Sequence, residues 1–137
     1  MQVKSLFDDR YRIVAVLNGD KCPVEEFLAL REATTQAARK GLITFLTYVA
    51  EHGFQNAPST WTHEVNKQNG IYEFIKGPLR LFFFKGKDRD IAICTVGGRK
   101  KGQKVDQSAV AASISCKDKY DTAYANGTYE VIEDENQ

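Results

Sequence analysis

The sequence predicts a single α+β domain over residues 1–137, with an N-terminal strand, two helices, an antiparallel meander sheet and a C-terminal helix. Two observations carry this prediction. Apolar residues recur at three- and four-residue spacing in the segments assigned to helices, which is the period of an amphipathic helix. Three short runs rich in β-branched or aromatic residues then follow one another. Their links are too short for a crossover connection, so these strands are predicted to pair antiparallel.

The first part of the chain predicts one strand and two helices. Residues 11–17 are apolar and β-branched, as in a buried strand, and an Asn-Gly-Asp turn at residues 18–20 ends it. Pro23 suits the first position of a short helix, because the amide hydrogen that proline lacks would be unsatisfied there. Residues 35–52 carry an apolar stripe and predict a long helix, with Gly53 as its C-terminal residue.

The second part of the chain predicts the meander and a closing helix. Residues 55–61 are predicted to form a loop. The predicted strands of the meander are residues 71–75, 79–84 and 91–96. Gly97-Gly98 is predicted to end the last strand, because glycine weakens a strand. A polar helix is predicted over residues 105–124.

Charge is distributed unevenly along the chain, although its net charge is only +1. Residues 76–104 contain nine basic and two acidic residues, a net charge of +7. Residues 121–137 contain five acidic residues and no basic one, so residues 125–137 are predicted to form an acidic tail that frays over residues 133–137. Three roles stay open for this tail. It is a solubilising end, an electrostatic competitor for ligand phosphates, or a strand at residues 128–132 that joins a sheet edge.

Composition disfavours several classes of protein. The three cysteines stand far apart and outside any Cys/His ligand cluster, so neither a zinc site nor a disulfide framework is predicted. No run of apolar residues approaches the length of a membrane span, and no membrane partner is expected. Residues 1–10 are charged and lack the apolar core of a secretory signal, so a cytoplasmic protein is expected.

Several short motifs occur in a fixed order along residues 11–120. They are Pro23-Val24-Glu25-Glu26-Phe27-Leu28, Glu51-His52-Gly53, Tyr72-Glu73, Arg80-Leu81-Phe82-Phe83-Phe84 and Lys100-Lys101-Gly102-Gln103-Lys104. In this order they resemble the phage-derived Gp49-like (HigB-like) branch of the RelE/ParE toxin superfamily. The chain departs from the family pattern at Ile75, where the family has an arginine two residues after the glutamate of the Tyr-Glu strand.

The resemblance implies a RelE-like fold and the toxin component of a type II toxin–antitoxin system. Such toxins cut mRNA on the ribosome without a metal or other cofactor and so inhibit translation. The implied partners are mRNA, the ribosome and a cognate antitoxin protein, while the oligomeric state is not implied. Two alternatives stay open, because the arginine is replaced at Ile75. One is a ParE-like, non-enzymatic inhibitor of DNA gyrase, and the other is an inactive phage-derived binding protein with the same fold.

Ribonuclease chemistry of this kind requires a base for the attacking 2′-hydroxyl, an acid for the leaving oxygen and cations around the phosphorus. Arg80 shares a predicted strand face with Phe82 and Phe84, so its charge must line a site or pair with Glu73 across the hairpin. The candidate catalytic residues are Arg80, Lys101, Lys104 and Glu73. The candidate RNA-binding residues are Arg99, Lys100, Lys76 and Trp61. The possible acid or base is His63 or Tyr120, and no metal ligand is predicted.

Overall fold

A seven-stranded mixed sheet organises the fold in the computed structural model, which describes residues 1–133. The strands are β1 (Gln2–Asp8), β2 (Arg12–Val16), β3 (Thr62–Asn66), β4 (Ile71–Lys76), β5 (Leu79–Phe84), β6 (Asp90–Arg99) and β7 (Glu130–Ile132). The helices are α1 (Pro23–Ala29), α2 (Gln36–His52) and α3 (Gln107–Ala125). The predicted α+β class is confirmed, as are the two helices before the meander and the helix after it.

The sheet combines an antiparallel meander with parallel pairs, in the order β3-β4-β5-β6-β2-β1-β7. β3, β4, β5 and β6 pair antiparallel in chain order. β2 lies parallel to β6, and the antiparallel β1–β2 hairpin extends the sheet on that side. β7 pairs parallel with β1. The first strand of the meander, β3, is therefore one edge of the sheet and β7 is the other.

The sequence pattern does not predict β1 or β3. β1 mixes Lys4 and Ser5 with apolar residues, and β3 reads Thr-His-Glu-Val-Asn, so neither contains the apolar run that identifies a buried strand. β1 forms because β2 supplies partners for its backbone hydrogen bonds, and β3 forms because β4 does the same. Two 3-10 turns, Phe54–Asn56 and Ser59–Trp61, occupy most of the predicted loop, and the second leads directly into β3.

Helices cover both faces of the sheet. α1 and α2 pack on one face, called the α2 face, and α3 packs on the other, called the α3 face. Alternation along β5 directs Phe83 to the α2 face and Phe82 to the α3 face. The predicted apolar stripe of α2 is confirmed, because Leu42 and Leu46 are fully buried. Burial of each leucine side chain contributes about 1.5–3 kcal/mol to the free energy of unfolding. Among residues 1–133, no helix has the length and apolar character to cross a membrane.

The last strand of the meander is longer than predicted. β6 continues to Arg99, so the prediction that two glycines end this strand is wrong. Gly97 pairs with Leu81 and Gly98 pairs with Arg80, so hydrogen bonding to β5 holds both glycines in an extended conformation. Glycine costs about 0.5–1 kcal/mol in a strand relative to alanine, which continuous pairing with β5 offsets.

Part of the predicted acidic tail belongs to the sheet. Glu130–Ile132 form β7, which confirms the strand alternative for residues 128–132 and corrects the assignment of the whole segment 125–137 as a tail. Gln2 Nε2 donates a hydrogen bond to Glu130 Oε1 at 2.9 Å, next to the paired backbones. The fraying predicted for residues 133–137 falls outside the described residues, apart from Glu133.

A buried carboxylate joins β2, β6 and the start of β7. Arg12 Nε donates to Asp90 Oδ1 at 2.5 Å, and the Tyr129 hydroxyl donates to Asp90 Oδ2 at 2.7 Å. Asp90 is buried, so these two donors replace the water that its charge would otherwise bind. Burial and the hydrogen bond to Asp90 raise the pKa of Tyr129, so the phenol stays a neutral donor.

Replacing this carboxylate is expected to destabilise the protein strongly. Asp90→Ala removes the partner of both donors and leaves Arg12 only its longer contact of 3.5 Å with the exposed Glu133, so the free energy of unfolding should fall by about 3 kcal/mol. Urea denaturation followed by circular dichroism measures this loss. The control is Asp121→Ala, because Asp121 is half-exposed and forms surface ion pairs with Lys87 and Lys117. The free energy of unfolding of this variant should fall by less than about 1 kcal/mol. Equal losses in both variants would contradict a structural role for the Asp90 cluster.

Candidate functional site

A cleft with a volume of about 230 Å³ opens on the α3 face, between the meander and the segment that connects β6 to α3. We call it the basic cleft. The cations that line it are Arg80, Arg99, Lys100, Lys101 and Lys104. The other ionisable residues that line it are His63, Glu73 and Asp106. Its apolar side chains are Ile75, Phe82, Val96 and Val105.

A buried carboxylate lies between a histidine and an arginine in this cleft. Glu73 Oε1 is 3.6 Å from His63 Nδ1 and 3.8 Å from Arg80 Nε. The register explains both approaches, because His63 lies directly opposite Glu73 and Arg80 lies two pairs further along the β4–β5 hairpin, on the same face. The side chain of Glu73 is only 7% exposed, whereas that of His63 is 57% exposed. The ion pair with Glu73, one of the two alternatives for Arg80, is therefore confirmed, and Arg80 lines the cleft as well.

The guanidinium group of Arg80 is held in place from two sides. Its Nη1 donates to the carbonyl oxygens of Gly77 and Leu79 at 2.7 and 2.8 Å, while its Nε faces Glu73. The side chain is 13% exposed, so little of its freedom remains. An arginine restrained in this way is pre-organised to meet a negative charge in the cleft, because it pays little conformational entropy on binding.

A β-bulge in β6 decides which of its residues enter the cleft. Phe82 pairs with Val96 but Phe83 pairs with Cys94, so Thr95 is the extra residue on β6. The Thr95 hydroxyl lies 2.6 Å from that of Ser113 on α3 and donates to the Phe82 carbonyl at 3.2 Å. The extra residue shifts the alternation of the strand by one position. Beyond it, Val96 lies on the α3 face.

The two glycines that follow the bulge differ in their surroundings. A Cβ atom built on Gly97 would lie 2.3 Å from Phe27 of α1, so this glycine allows close packing on the α2 face. A Cβ atom built on Gly98 meets no atom within 4 Å, because that position opens into space. Gly98 lies opposite Arg80, so its missing side chain leaves room beside the guanidinium group.

The segment between β6 and α3 carries most of the positive charge of the cleft. It is anchored at its start, where the Lys100 amide donates to the Pro78 carbonyl at 2.7 Å. It is anchored at its end by Asp106, whose side chain accepts from the amides of Ser108 and Ala109 and so caps α3. Hydrogen bonds from Ser108 and Ala109 lower the pKa of Asp106. Two fixed ends keep the intervening lysines beside Arg80.

The structure thus brings together most of the candidate residues but leaves three outside the basic cleft. Lys76 extends to the α2 face, where its Nζ lies 5.4 Å from the centre of the Phe45 ring. Trp61 is on the same face and stacks on Phe45. Tyr120 is buried beneath α3, and its hydroxyl accepts a hydrogen bond from the Lys87 amide at 2.8 Å. Lys76 lies outside the cleft because strand alternation directs its side chain to the α2 face. Tyr120 lies outside it because its side chain is packed in the core.

Sequence reasoning missed several residues of the cleft. Val96 and Gly98 enter it through the bulge, and Asp106 enters it as the cap of α3. A double glycine within an apolar strand is a signal for a bulge or a close approach, and Asp-Gln-Ser before a helix is a signal for a cap. The pairing of Thr95 with Ser113 has no such signal, because the two hydroxyls are 18 residues apart.

No protein-family model matches this chain, and no curated protein matches it either. Among residues 1–133, no group of three or more histidine, cysteine, aspartate or glutamate side chains is placed to hold a metal ion. The side chains of the basic cleft offer five cations, one buried carboxylate and one exposed imidazole.

The surroundings of the two glycines lead to opposite expectations for alanine substitutions. Gly97→Ala forces its new methyl group against Phe27 and should lower the free energy of unfolding by about 2 kcal/mol. Gly98→Ala adds its methyl group in open space and should leave stability within about 0.5 kcal/mol of the wild type. Thermal unfolding of the two variants measures the difference. If Gly98→Ala were the more destabilised variant, the bulge would not set the faces of β6 as described.

Proposed function

We propose that this protein is a toxin of the phage-derived Gp49-like (HigB-like) branch of the RelE/ParE superfamily, and that it cleaves mRNA on the ribosome. The observation that carries the proposal is the basic cleft, in which a buried carboxylate lies between an exposed histidine and a restrained arginine. The protein would act in the cytoplasm and inhibit translation until a cognate antitoxin protein binds it. The order of motifs along the chain supports this assignment.

The order of elements supports a RelE-like fold as part of the proposal. β2, α1, α2, the meander and α3 follow one another as the resemblance implies. β1 and β7 extend the sheet beyond that pattern on the side of β2, and β3 extends it at the opposite edge. The cleft draws its residues from β3 to β6 and from the segment leading into α3, so this extension does not interrupt it.

The charge of the cleft favours a phosphodiester ligand. Five cations line it against two carboxylates, and one of the carboxylates already caps α3. Cations contribute to RNA affinity by releasing the counterions of phosphates, so log K should fall with log[salt] by about 0.7 for each phosphate neutralised on a single strand. Binding to this cleft is therefore expected to weaken steeply as salt is added.

The proposed reaction is an attack of the RNA 2′-oxygen on the adjacent phosphorus. The imidazole of His63 takes the proton of the 2′-hydroxyl, and Glu73 stabilises the imidazolium that forms, because it lies on the Nδ1 side of the ring. The P–O5′ bond breaks with its electron pair moving to O5′, which takes a proton from the ammonium group of Lys101 or Lys104. The products are a 2′,3′-cyclic phosphate and a 5′-hydroxyl. Arg80 stabilises the negative charge that builds up on the phosphate oxygens.

The isoleucine at position 75 removes one cation of the family pattern from the cleft but leaves the cations that the proposed reaction uses. Ile75 lines the cleft and lies directly opposite Arg80, so one cation of the family pattern is replaced by an apolar side chain. Arg80 and the lysines after β6 still surround the same space. The gyrase inhibitor and the inactive relative are the alternatives to the proposal, and both predict RNA that stays intact.

Induced expression in a bacterial host should arrest growth and create new 5′ ends within translated regions of mRNA, because the proposed substrate is mRNA on the ribosome. Mapping of 5′ ends before and after induction measures this. Induction of an Arg80→Ala variant at the same protein level is the control. Growth arrest with intact mRNA and altered DNA supercoiling would select the gyrase inhibitor, and unimpaired growth would select the inactive relative.

Single substitutions in the cleft should abolish or strongly reduce toxicity. Arg80→Ala removes a cation from the charged transition state and should lower the cleavage rate by about 10²–10³. Lys104→Ala should also reduce toxicity strongly, and Lys104 is exposed, so its loss leaves folding intact. The control is Lys40→Ala, which removes an exposed lysine of α2 outside the cleft and should leave toxicity unchanged. Folding is checked by thermal unfolding. Folded Arg80→Ala and Lys104→Ala proteins with full toxicity would exclude these residues from the site.

A further inference from the structure

A second cavity lies on the α2 face beside the edge strand β3. It has a volume of about 170 Å³ and is called the Trp61 pocket. The residues that shape it include Phe54, Pro58, Trp61, Tyr72 and Lys85. Sites for whole small molecules usually measure about 300–1,000 Å³, so a cavity of this size suits one flat ring system rather than a complete nucleotide.

Trp61 is held in one orientation at the side of this pocket. Its ring stacks on Phe45 with centroids 4.0 Å apart and an angle of 11° between the planes. Tyr48 contacts Trp61 edge-on, with centroids 5.4 Å apart. Trp61 is nevertheless only half-buried. A rigid aromatic side chain of this kind gives contact area to a ligand at little cost in conformational entropy.

The charge beside the pocket is positive. Lys85 Nζ lies 4.8 Å from the centre of the Tyr72 ring and 5.5 Å from that of Phe54, so the lysine borders the same cavity as Trp61. Among the residues that line the pocket, Lys85 carries the charge. An aromatic surface next to a cation suits a nucleobase that carries its own phosphate, because the base can stack while the phosphate meets the ammonium group.

The Trp61 pocket and the basic cleft meet at β3. Thr62 lines the pocket and His63 lines the cleft, because successive residues of a strand point to opposite faces. Among the described residues, no further strand pairs with the outer side of β3. A flexible polymer that crosses this edge therefore reaches both cavities over the width of a single strand.

We infer that the Trp61 pocket binds a base of the same single-stranded RNA whose phosphates occupy the basic cleft, with the RNA crossing the edge of β3. This inference rests on the proposed function and adds a second contact outside the reacting site. Trp61 stacks on the base, and Lys85 contacts its phosphate. Because every base has a flat face, such a contact recognises single-stranded RNA without selecting a sequence.

The test uses the full chain and two probes that cannot be cleaved, because their 2′-hydroxyls are methylated: a dinucleotide and an octanucleotide. Trp61 is the one tryptophan of the sequence, so its fluorescence reports on this pocket alone. The octanucleotide should quench the fluorescence of Trp61, and the dinucleotide, held in the cleft, should leave it unchanged. Trp61→Ala should weaken octanucleotide binding about tenfold, the effect of one lost base stack, while Trp61→Phe keeps most of the affinity.

A second pair of variants keeps the test independent of folding. Lys85 and Lys40 are both exposed, so Lys85→Gln and Lys40→Gln should both fold normally. Lys85→Gln should weaken octanucleotide binding and lower the salt slope by about 0.7, the share of one phosphate contact on a single strand. Lys40→Gln, the control on α2, should change neither.

The outcomes separate this inference from the proposed function. Wild-type octanucleotide affinity in both Trp61→Ala and Lys85→Gln would overturn the inference, and so would an equal loss of dinucleotide affinity in Trp61→Ala. The proposed cleavage would survive either result. The octanucleotide could quench Trp61 and bind both variants more weakly while the protein produces no new mRNA ends. That combination would support the base pocket and overturn the ribonuclease. A purified protein that binds neither probe would overturn the base pocket, while the ribosome-dependent cleavage would still be decided by the mapping of mRNA ends.

Discussion

The site depends on the β-bulge at Thr95, where the pairing of β5 with β6 shifts by one residue. The Thr95 hydroxyl bonds to the Phe82 carbonyl and contacts Ser113 of α3, so one side chain secures both the bulge and the helix above it. The shift directs Val96 towards α3 and leaves open space at Gly98. α3 begins where the basic segment ends, so this contact lies on the same helix that receives the end of the segment.

A buried carboxylate in the sheet accounts for the arrangement of charge around this bulge. Glu73 is nearly inaccessible to solvent, and burial of an unpaired carboxylate would cost several kcal/mol. Arg80 and His63 meet that need from neighbouring strands. Because the buried carboxylate of Glu73 needs partners, its burial brings a cation and an imidazole together on one face of the sheet. The same contacts therefore stabilise the strand pairing and form the basic cleft.

Much of the fold follows from local patterns in the sequence. The apolar stripe of α2, the proline that starts α1 and the central strands β5 and β6 were predictable, because spacing and residue type report directly on helices and buried strands. β1 and β3 were not predictable, because polar strands form only when a neighbour supplies their hydrogen bonds. β7 stayed one of three alternatives for the same reason, since its partner β1 lies more than 120 residues away.

The sequence by itself placed Arg80 on the strand face of Phe82 and Phe84 and a basic segment after the last strand of the meander, because alternation and chain order are local properties. It left open whether Arg80 pairs with Glu73, which the register of β4 against β5 decided. Only the tertiary structure decided that His63 joins this pair and that Trp61 does not. His63 joins the pair because the register of β3 against β4 sets it directly opposite Glu73. Trp61 lies in the 3-10 turn before β3 and stacks on Phe45 of α2, so the path of the chain into the strand, and not strand alternation, keeps it out of the cleft.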